Sequence, residues 1–265
     1  MKMKAIPLLL AGLLAAPSFA HAQVERVTVT AEQKKAAEEK LKTTFSQIQV
    51  TGFEPSYVPG VFELTTGNNT YYFYPGSNGQ DGVLIFGEMY DAQGNNLTQV
   101  AREKRLDKAM ATLPMDSALL VGNKTGSVEF YEITDPECPY CERYDTWVKQ
   151  QPFANQLKRK IIFLMNNGHP GERREVEHII CSDDKNKALD DAFKNTPDNP
   201  VITDWKTCPE AEAVIAEHQK IVQAVGAQGT PAFIINGKMV TGFSEAQILD
   251  AIKINDASVN MQGTK

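Results

Sequence analysis

Two cysteines separated by two residues form the stretch with the clearest chemical potential, Cys138-Pro139-Tyr140-Cys141. Thiols at this spacing can make and break a disulfide. The preceding run Ser127–Thr134 is rich in β-branched and aromatic residues and predicts a strand. The following run Glu142–Lys149 predicts a helix, with Pro139 suited to its first turn. The first cysteine is therefore expected where a strand ends and a helix begins.

That position favours ionisation of the first thiol. Unpaired backbone N–H groups and the positive end of the helix dipole stabilise a thiolate. In such settings a cysteine pKa of about 8.5 falls to between roughly 3.5 and 7.5. We predict Cys138 as the nucleophile and Cys141 as the resolving thiol, with Tyr140 exposed between them and able to touch substrate. Asp135 and Glu137 precede the nucleophile, and their charge would oppose thiolate formation if they lie close.

The same spacing also supplies two ligands to zinc, which is the alternative interpretation. A four-cysteine zinc site would need Cys181 and Cys208, and neither belongs to a second CxxC pair. Pro139 beside a helix start suits a redox pair better than a metal site. We therefore predict redox chemistry and no metal. His169, His178 and His218 are scattered and are expected to be surface or packing residues.

The first residues have the pattern of a secretory leader. Lys2 and Lys4 precede an apolar stretch at 7–16 that is too short to span a membrane, and Ala20-His21-Ala22 offers small residues for cleavage. We predict a signal peptide over 1–22; the alternative is an amphipathic first helix of the fold.

The formal charge is −6, or −8 once both lysines are removed. An acidic chain without a basic run is a poor nucleic-acid binder.

The remaining length suits two domains. Region 23–98 has a helix pattern at 31–45 and strand patterns at 61–66, 70–74 and 82–87, with turn signals between them. It predicts a small helix-plus-antiparallel-sheet unit without cysteine. Such a unit buries little surface alone, so we expect it to pair with another copy or with the second domain. The charged helix pattern Leu97–Leu113, ended by Pro114, is interpreted as a spacer over 99–115, or alternatively as an ordinary surface helix.

Region 116–258 alternates strand and helix signals. After the CPYC helix it has a strand pattern at 160–165, then a mostly helical stretch at 172–225 that breaks near 195–200. A strand at 232–235, a turn at Asn236-Gly237, a returning strand at 239–240 and a helix at 244–252 complete it. The predicted order is βαβ, a helical insertion, then ββα.

Thr230-Pro231 stands directly before the strand at 232–235. A proline there is acceptable as a simple strand-entry residue. The alternative is a cis Thr–Pro bond, which leaves neighbouring backbone groups free to pair with an extended peptide. Only about 5–6% of X–Pro bonds are cis, so the dipeptide alone does not decide. The Thr230-Pro231 dipeptide together with CPYC, in a chain of the order βαβ…ββα, predicts the cis bond.

These motifs together resemble a known family. From Gly122 onward the chain is similar to a thioredoxin-fold domain, with CPYC as active site and Thr230-Pro231 as cis-proline loop. The likeness extends to the periplasmic disulfide isomerase family of DsbC and DsbG. Residues 87–95 (GEMYDAQGN) resemble the end of that family's N-terminal dimerisation domain, and Leu97–Leu113 stands at its linker helix. Cys181 and its following residues (SDDKNKA), with Cys208, look like the DsbC structural disulfide; a second redox-active pair is the alternative.

The resemblance implies an α+β/α/β protein: a small N-terminal α+β dimerisation domain, a linker helix, and a C-terminal thioredoxin-like domain with a helical insertion. It implies a periplasmic disulfide isomerase or reductase that needs no cofactor. Cys138 and Cys141 would be catalytic, and Pro139, Tyr140, Thr230 and Pro231 would contact substrate. The implied partners are a second copy of the chain, misfolded exported proteins, and a membrane thiol reductase of the DsbD type as electron donor.

Three features bear on the place of the chain within this family. Pro139-Tyr140 is the dipeptide of DsbG-like members, whereas the Cys181 and Cys208 pair points toward DsbC, and Thr230 matches the isomerase side of the family. Three other functions therefore stay open: a net dithiol oxidase, a reductase of single cysteines oxidised to sulfenic acid, and a holdase chaperone that does not need the thiols.

Overall fold

The computed structural model describes residues 24–253 except Asn68, Asn78 and Asn167, and it leaves the side chain of Lys253 undescribed. The predicted signal peptide over 1–22 and the end of the second predicted domain therefore lie outside the described residues. Within the described ranges, no helix has both the length and the apolar character needed to cross a membrane.

The N-terminal region is a helix packed on an antiparallel sheet, as the sequence predicts. Its elements are α1 (Ala31–Thr44), β1 (Gly52–Pro55), β2 (Phe62–Thr66), β3 (Asn69–Tyr74) and β4 (Val83–Ile85), with strand order β1-β2-β3-β4. The helix begins with a capping box between Thr30 and Gln33. Its core joins aliphatic and aromatic side chains of the helix and the strands: Ala37, Leu41, Phe53, Phe62, Leu64 and Phe73.

Helix α2 (Leu97–Met110) connects the two regions and ends four residues before Pro114. Asn96 caps its first turn by accepting a hydrogen bond from the backbone N–H of Gln99 at 2.9 Å. The helix starts at residue 97, ahead of the proposed linker boundary at 99. A short 3₁₀ turn, Met115–Ser117, then leads into the second region.

The C-terminal region is a five-stranded sheet covered by helices, which gives the thioredoxin-like α/β fold. Its elements are β5 (Leu119–Gly122), β6 (Val128–Thr134), α3 (Pro139–Lys149), β7 (Leu157–Phe163), α4 (Glu172–Cys181), α5 (Lys185–Lys194), α6 (Ala211–Val225), β8 (Ala232–Ile235), β9 (Lys238–Thr241) and α7 (Glu245–Lys253). A 3₁₀ turn at Ala154–Gln156 precedes β7. The strand order is β5-β7-β6-β8-β9; β6 and β7 are parallel, and the other neighbours are antiparallel.

The sheet is buried on both faces. On one face, Phe130 of β6 and Phe233 of β8 pack with α3 and α7. On the other face, Ile133 of β6 and Ile162 of β7 pack with α6 and with Leu106 of α2. Helices α4 and α5 form a further cluster over β7 and β5. The helical stretch predicted at 172–225 is thus three helices, and together they form the predicted insertion between β7 and β8.

Candidate active site

The CPYC segment lies at the predicted junction between a strand and a helix. Strand β6 ends at Thr134, and Cys138 is the N-cap of α3, with Pro139 at the first helical position. The backbone N–H of Cys138 donates to the carbonyl of Asp135 at 3.1 Å, which closes the intervening turn. The carbonyl of Cys138 accepts from the N–H of Cys141 at 3.0 Å, which begins the helix.

The two thiols differ in exposure. Both are free; the side chain of Cys138 reaches the surface with 8% of its residue area exposed, whereas Cys141 is completely buried. Tyr140, between them, is 57% exposed, and the guanidinium carbon of Arg143 lies 4.9 Å from the centre of its ring. The exposure expected for Tyr140 is therefore present. An attacking group from solvent can approach Cys138 but not Cys141.

The two thiols also differ in acidity. A hydrogen bond with the Cys141 thiol lowers the pKa of Cys138 to about 5; partial burial opposes this shift, and hydrogen bonds with Thr230 and the backbone of Cys141 and Tyr140 assist it. Burial and the neighbouring Cys138 raise the pKa of Cys141, while hydrogen bonding with Thr134 and Thr230 opposes the rise. At neutral pH the outer sulfur is therefore a thiolate and the inner one keeps its proton.

The Thr230–Pro231 peptide bond is cis, as the combined motifs predict. It stands immediately before β8, which pairs with β6. This pairing brings the loop to CPYC, where the Cys138 thiol, when protonated, donates to the carbonyl of Thr230 at 3.5 Å. The structure thus brings Cys138, Cys141 and the Thr230-Pro231 loop into one site.

The acidic residues before the nucleophile do lie close to its turn, and Asp135 is paired. Asp135 is fully buried; its Oδ1 accepts from the backbone N–H of Glu137 at 2.8 Å, and its Oδ2 lies 2.6 Å from Nδ1 of His169. The carboxylate of Glu137 lies against Gly171, at the start of α4. The sequence prediction of a surface or packing role for His169 therefore left out its ion pair with Asp135.

The other two histidines have the packing roles that the sequence predicts. Nδ1 of His218 accepts from the N–H of Phe163 at 3.1 Å, and its Nε2 lies 3.0 Å from the carbonyl of Ser117. Nδ1 of His178 accepts from the N–H of Lys206 at 3.0 Å. Burial lowers the pKa of both, which keeps these rings neutral and structural.

Cys181 and Cys208 form a disulfide with a Cα–Cα distance of 5.5 Å. It ties the last residue of α4 to the segment before α6 within the helical insertion. With these two sulfurs bonded to each other, the four-cysteine zinc alternative is excluded. The bond lies beside the cluster over β7 to which α4, α5 and α6 all contribute, which favours the structural interpretation over a second redox-active pair.

A buried ion network under α3 was not predicted from the sequence. Glu132 of β6 accepts two hydrogen bonds from Arg159 of β7, at 2.8 and 3.0 Å, and Arg159 also donates to Asp145 of α3 at 2.7 Å. The guanidinium carbon lies 5.4 Å from the ring centre of Tyr144. Each strand carries more than one charged residue, Glu129 and Glu132 in β6 and Lys158, Arg159 and Lys160 in β7, and no local pattern marks which of them are buried.

Comparisons with known proteins agree with this architecture. Residues 28–99 match the family described as the disulfide bond isomerase protein N-terminal domain. Residues 115–253, more than half of the chain, match the family described as the thioredoxin-like domain.

Curated relatives are similar over most of the chain. The thiol:disulfide interchange protein DsbC of Salmonella typhimurium is 25% identical over 199 residues, which cover 74% of this chain and 77% of that protein. The thiol:disulfide interchange protein DsbG of Pseudomonas aeruginosa is 26% identical over 166 residues, which cover 58% of this chain and 62% of that protein. Among solved structures, a disulfide interchange protein from Neisseria gonorrhoeae is 23% identical, with a TM-score of 0.42; the match covers 54% of this chain and 98% of that one.

Proposed function

The chain belongs to the thioredoxin-like DsbC/DsbG family of thiol:disulfide interchange proteins, and we propose that it is a disulfide isomerase that acts on misoxidised exported proteins. Thiol:disulfide oxidoreductase activity follows from the family. The isomerase role is our proposal. It is carried by one arrangement: Cys138 reaches the surface and hydrogen bonding lowers its pKa, whereas Cys141 behind it is fully buried and burial raises its pKa.

In the proposed reaction, the Cys138 thiolate attacks one sulfur of a substrate disulfide. A new S–S bond joins Cys138 to the substrate, the old S–S bond breaks, and the other substrate sulfur leaves as a thiolate. Because Cys141 is buried and protonated, it attacks this mixed disulfide slowly. The substrate thiolate then has time to attack another substrate disulfide, which frees a different substrate sulfur as a thiolate. That thiolate attacks the substrate sulfur bonded to Cys138, so a new substrate disulfide forms and Cys138 leaves as a thiolate without net oxidation.

The same intermediate also leads to net reduction. If Cys141 loses its proton and attacks Cys138, an intramolecular disulfide forms and both electrons stay with the reduced substrate. The CPYC pair must then be reduced again. We propose a membrane thiol reductase of the DsbD type as the electron donor.

We propose that an extended segment of the substrate lies along Pro139, Tyr140, Thr230 and Pro231. Tyr140, two residues after Cys138, presents an exposed ring, and the carbonyl of Thr230 lies 3.5 Å from the Cys138 sulfur. An extended peptide can pair with backbone groups of such a loop, as in the general mode of strand addition. These contacts select an unfolded or flexible segment rather than a compact surface.

The remaining proposals concern location and assembly. We propose that the protein is exported to the periplasm and that residues 1–22 are removed. We propose that the mature chain consists of a dimerisation domain at 23–98, a linker at 99–115 and a catalytic domain at 116–258. We propose that the protein is a homodimer. Strand β4 is an edge strand of the N-terminal sheet, and Val83, Ile85 and Phe86 on or beside it are exposed, which supports an interface there.

Refolding of a scrambled multi-disulfide protein in a glutathione buffer tests the proposed function. We expect the full-length protein to restore native pairing, Cys138→Ser to abolish this activity, and Cys141→Ser to keep a measurable part of it. Restoration that persists in Cys138→Ser would contradict the proposal and identify a holdase. Oxidation of a reduced substrate without any repair of a scrambled one would identify a net oxidase.

A second candidate function is reduction of single cysteines oxidised to sulfenic acid. The Pro139-Tyr140 dipeptide and the similarity to a DsbG favour it. In this reaction the Cys138 thiolate attacks the sulfenic sulfur and expels hydroxide, and Cys141 then releases the reduced thiol. A sulfenylated protein with one cysteine is the test substrate. Rapid reduction of it, with little repair of scrambled disulfides, would favour this function over isomerisation.

A further inference from the structure

A buried carboxylate shapes the turn that presents the nucleophile. Asp135 accepts three hydrogen bonds: its carbonyl from the N–H of Cys138, its Oδ1 from the N–H of Glu137, and its Oδ2 from the ring of His169 when Nδ1 carries a proton. Asp135 lies three residues before Cys138 and is completely buried. A negative charge at this place, held in a low-dielectric environment, opposes formation of a thiolate nearby.

The imidazole of His169 supplies the opposite charge. It comes from the loop between β7 and α4, and its ring remains 28% exposed, so protons can exchange with solvent. Partial burial opposes protonation, but the hydrogen bond and charge of Asp135, with the charges of Glu137 and Glu172, raise the pKa of His169. A protonated His169 therefore faces three carboxyl groups, Asp135, Glu137 and Glu172.

The three carboxyl groups are held in different ways. Burial raises the pKa of Asp135, and hydrogen bonds from Glu137 and His169 oppose that shift. The carboxylate of Glu137 lies at the N-terminus of α4, beside Gly171. Oε2 of Glu172 accepts from the N–H of Asn166 at 2.6 Å, and burial raises the pKa of this group to about 7. The ion pair with His169 therefore compensates the charge of the Asp135 carboxylate, which accepts from the N–H of Glu137 inside the Cys138 turn.

We propose that His169 is a positioning residue for the thiol chemistry, which holds Asp135 in the Cys138 turn and cancels its charge so that the thiolate forms. The proposal rests on the proposed role of Cys138 as nucleophile. The ion pair of Asp135 with His169 then determines both the geometry of the Cys138 turn and part of the acidity of the Cys138 thiol.

The coupling is reciprocal, so the redox state of CPYC changes the proton affinity of His169. When a dithiol reduces the Cys138–Cys141 disulfide, this S–S bond breaks and the reductant forms its own. The two electrons enter the CPYC pair; one of the reductant's two protons goes to Cys141 and the other to solvent, and Cys138 is released as a thiolate. A new negative charge thus appears at the Cys138 turn, and His169 binds its proton more tightly in the reduced protein than in the oxidised one.

Charge variants separate this role from a purely structural one. The thiolate absorbance of the reduced protein, followed against pH, gives the pKa of Cys138 without any activity assay. We expect His169→Gln to raise this pKa by about half a unit, because Asp135 is left uncompensated. We expect Asp135→Asn to lower it by a similar amount, since Asn keeps the acceptor for Glu137, and the double variant to return close to the starting protein.

The control is His178→Gln, which removes an imidazole bonded to Lys206 and should leave the pKa of Cys138 in place. Shifts of the two single variants in the same direction, or no shift in either, would overturn the proposal. So would a shift of equal size in the control. Because the readout is an absorbance, loss of isomerase activity with these shifts intact would refute the proposed function alone.

A second measurement needs no variant and so does not depend on refolding. The ring-proton resonances of His169 are titrated by NMR in the reduced and the oxidised full-length protein. We expect the midpoint to be higher in the reduced protein. Equal midpoints would overturn the proposal.

Discussion

At the scale of single residues, Glu172 shows how burial changes the charge of the region beside the active site. It lies in the first turn of α4 with 1% of its area exposed, and its Oε1 lacks a hydrogen-bond partner among the described residues. Burial raises the pKa of this carboxyl from an ordinary value of 4.5 to about 7; the N–H of Asn166 opposes this shift, and the charge of Asp135 assists it.

The raised pKa has a definite consequence for stability. Between pH 4.5 and about 7, the folded protein keeps a proton on Glu172 that the unfolded chain has lost. The stabilisation from this group is therefore complete below pH 4.5 and is lost as the pH rises toward 7 and above. At alkaline pH the folded protein must hold a buried, incompletely bonded carboxylate.

We predict that Glu172→Gln stabilises the protein at alkaline pH. The amide is neutral at every pH and keeps an acceptor for the N–H of Asn166, so the free energy of unfolding should rise by about 2 kcal/mol at pH 8. Near pH 4 the change should be close to zero. Urea unfolding of both proteins at the two pH values measures it, with Glu177→Gln on the same helix as control. An equal gain at both pH values would contradict the prediction.

The residues of the site were only partly predictable from the sequence. CPYC and Thr230-Pro231 are contiguous motifs with a known spacing, so the sequence could specify them. The pairing of His169 with Asp135 joins positions 34 residues apart, and no local pattern marks it. The place of His169 depends on how the loop after β7 returns toward α3, which only the tertiary fold determines.

At the scale of secondary-structure elements, long periodic runs were predicted well, as were the edge strands β4 and β9, but the edge strands β1 and β5 were not. Strands β1 and β5 have four residues each and were missed; β1 contains Gly52 and Pro55, which weaken a strand pattern. Strand β4 is shorter than the predicted run at 82–87 by one residue at its start and two at its end, and Gly82, outside the ladder, lies against the ring of Phe73. Edge strands owe their conformation to a distant partner, as β5 does to β7.

The active-site helix is held to the sheet by the buried network of Arg159. This side chain is 4% exposed and bonds to Glu132, which is fully buried, and to Asp145, which is 7% exposed. Removing one member of a buried ion group leaves an uncompensated charge, whereas replacing matched partners together by apolar groups is often tolerated. The network therefore fixes where α3, and with it Cys141, lies on β6 and β7.

We predict that Arg159→Met destabilises the protein by about 3–5 kcal/mol, because Glu132 is then left as a buried, unpaired carboxylate. The double change Glu132→Leu with Arg159→Met should recover most of this loss, since Asp145 still pairs with Lys149 at 2.5 Å. Urea unfolding measures the cycle. Lys158→Met, on the same strand and in a more exposed pair with Glu129, is the control and should change stability by less than about 1 kcal/mol.

The cycle also needs Glu132→Leu alone. If the double variant lost as much stability as Glu132→Leu and Arg159→Met together, this account of the network would be contradicted. Such a result would mean that Glu132 and Arg159 stabilise α3 independently. A strong coupling between them, by contrast, is what a buried pair with two shared hydrogen bonds requires.

At the scale of the whole molecule, α2 belongs to both domains. On one side, Arg102 donates to Glu88 at 2.9 Å and Arg105 donates to Thr70 at 2.7 Å, both in the N-terminal region. On the other side, Leu106 is buried in the core beneath β6, β7 and β8, and Glu103 pairs with Lys238 of β9 at 3.4 Å. The helix predicted as a spacer thus joins the two regions and also packs against both of them.

Because α2 packs against both regions, the N-terminal sheet has a defined position relative to CPYC. If two copies join through that sheet, the two active sites acquire a defined separation as well. The sheet offers β4 for this purpose: the strand pairs only with β3 among the described strands, and Val83 and Ile85 are 52% and 42% exposed. An exposed apolar edge strand without a partner is a site of association.

We predict that the protein is a dimer in light scattering at micromolar concentration and that Ile85→Lys converts it to a monomer, because a charge on the edge strand opposes pairing with a second copy. Val58→Lys is the matched control: it adds the same charge at an exposed valine of the same domain, outside the strands, and should remain dimeric. The Ile85→Lys monomer should keep the low pKa of Cys138 but lose most repair of scrambled substrates, because a second CPYC site is no longer held at a defined distance from the first. A monomer with undiminished repair would show that one CPYC site with its own Thr230-Pro231 loop is sufficient. A dimer that survives Ile85→Lys would place the interface elsewhere than on β4.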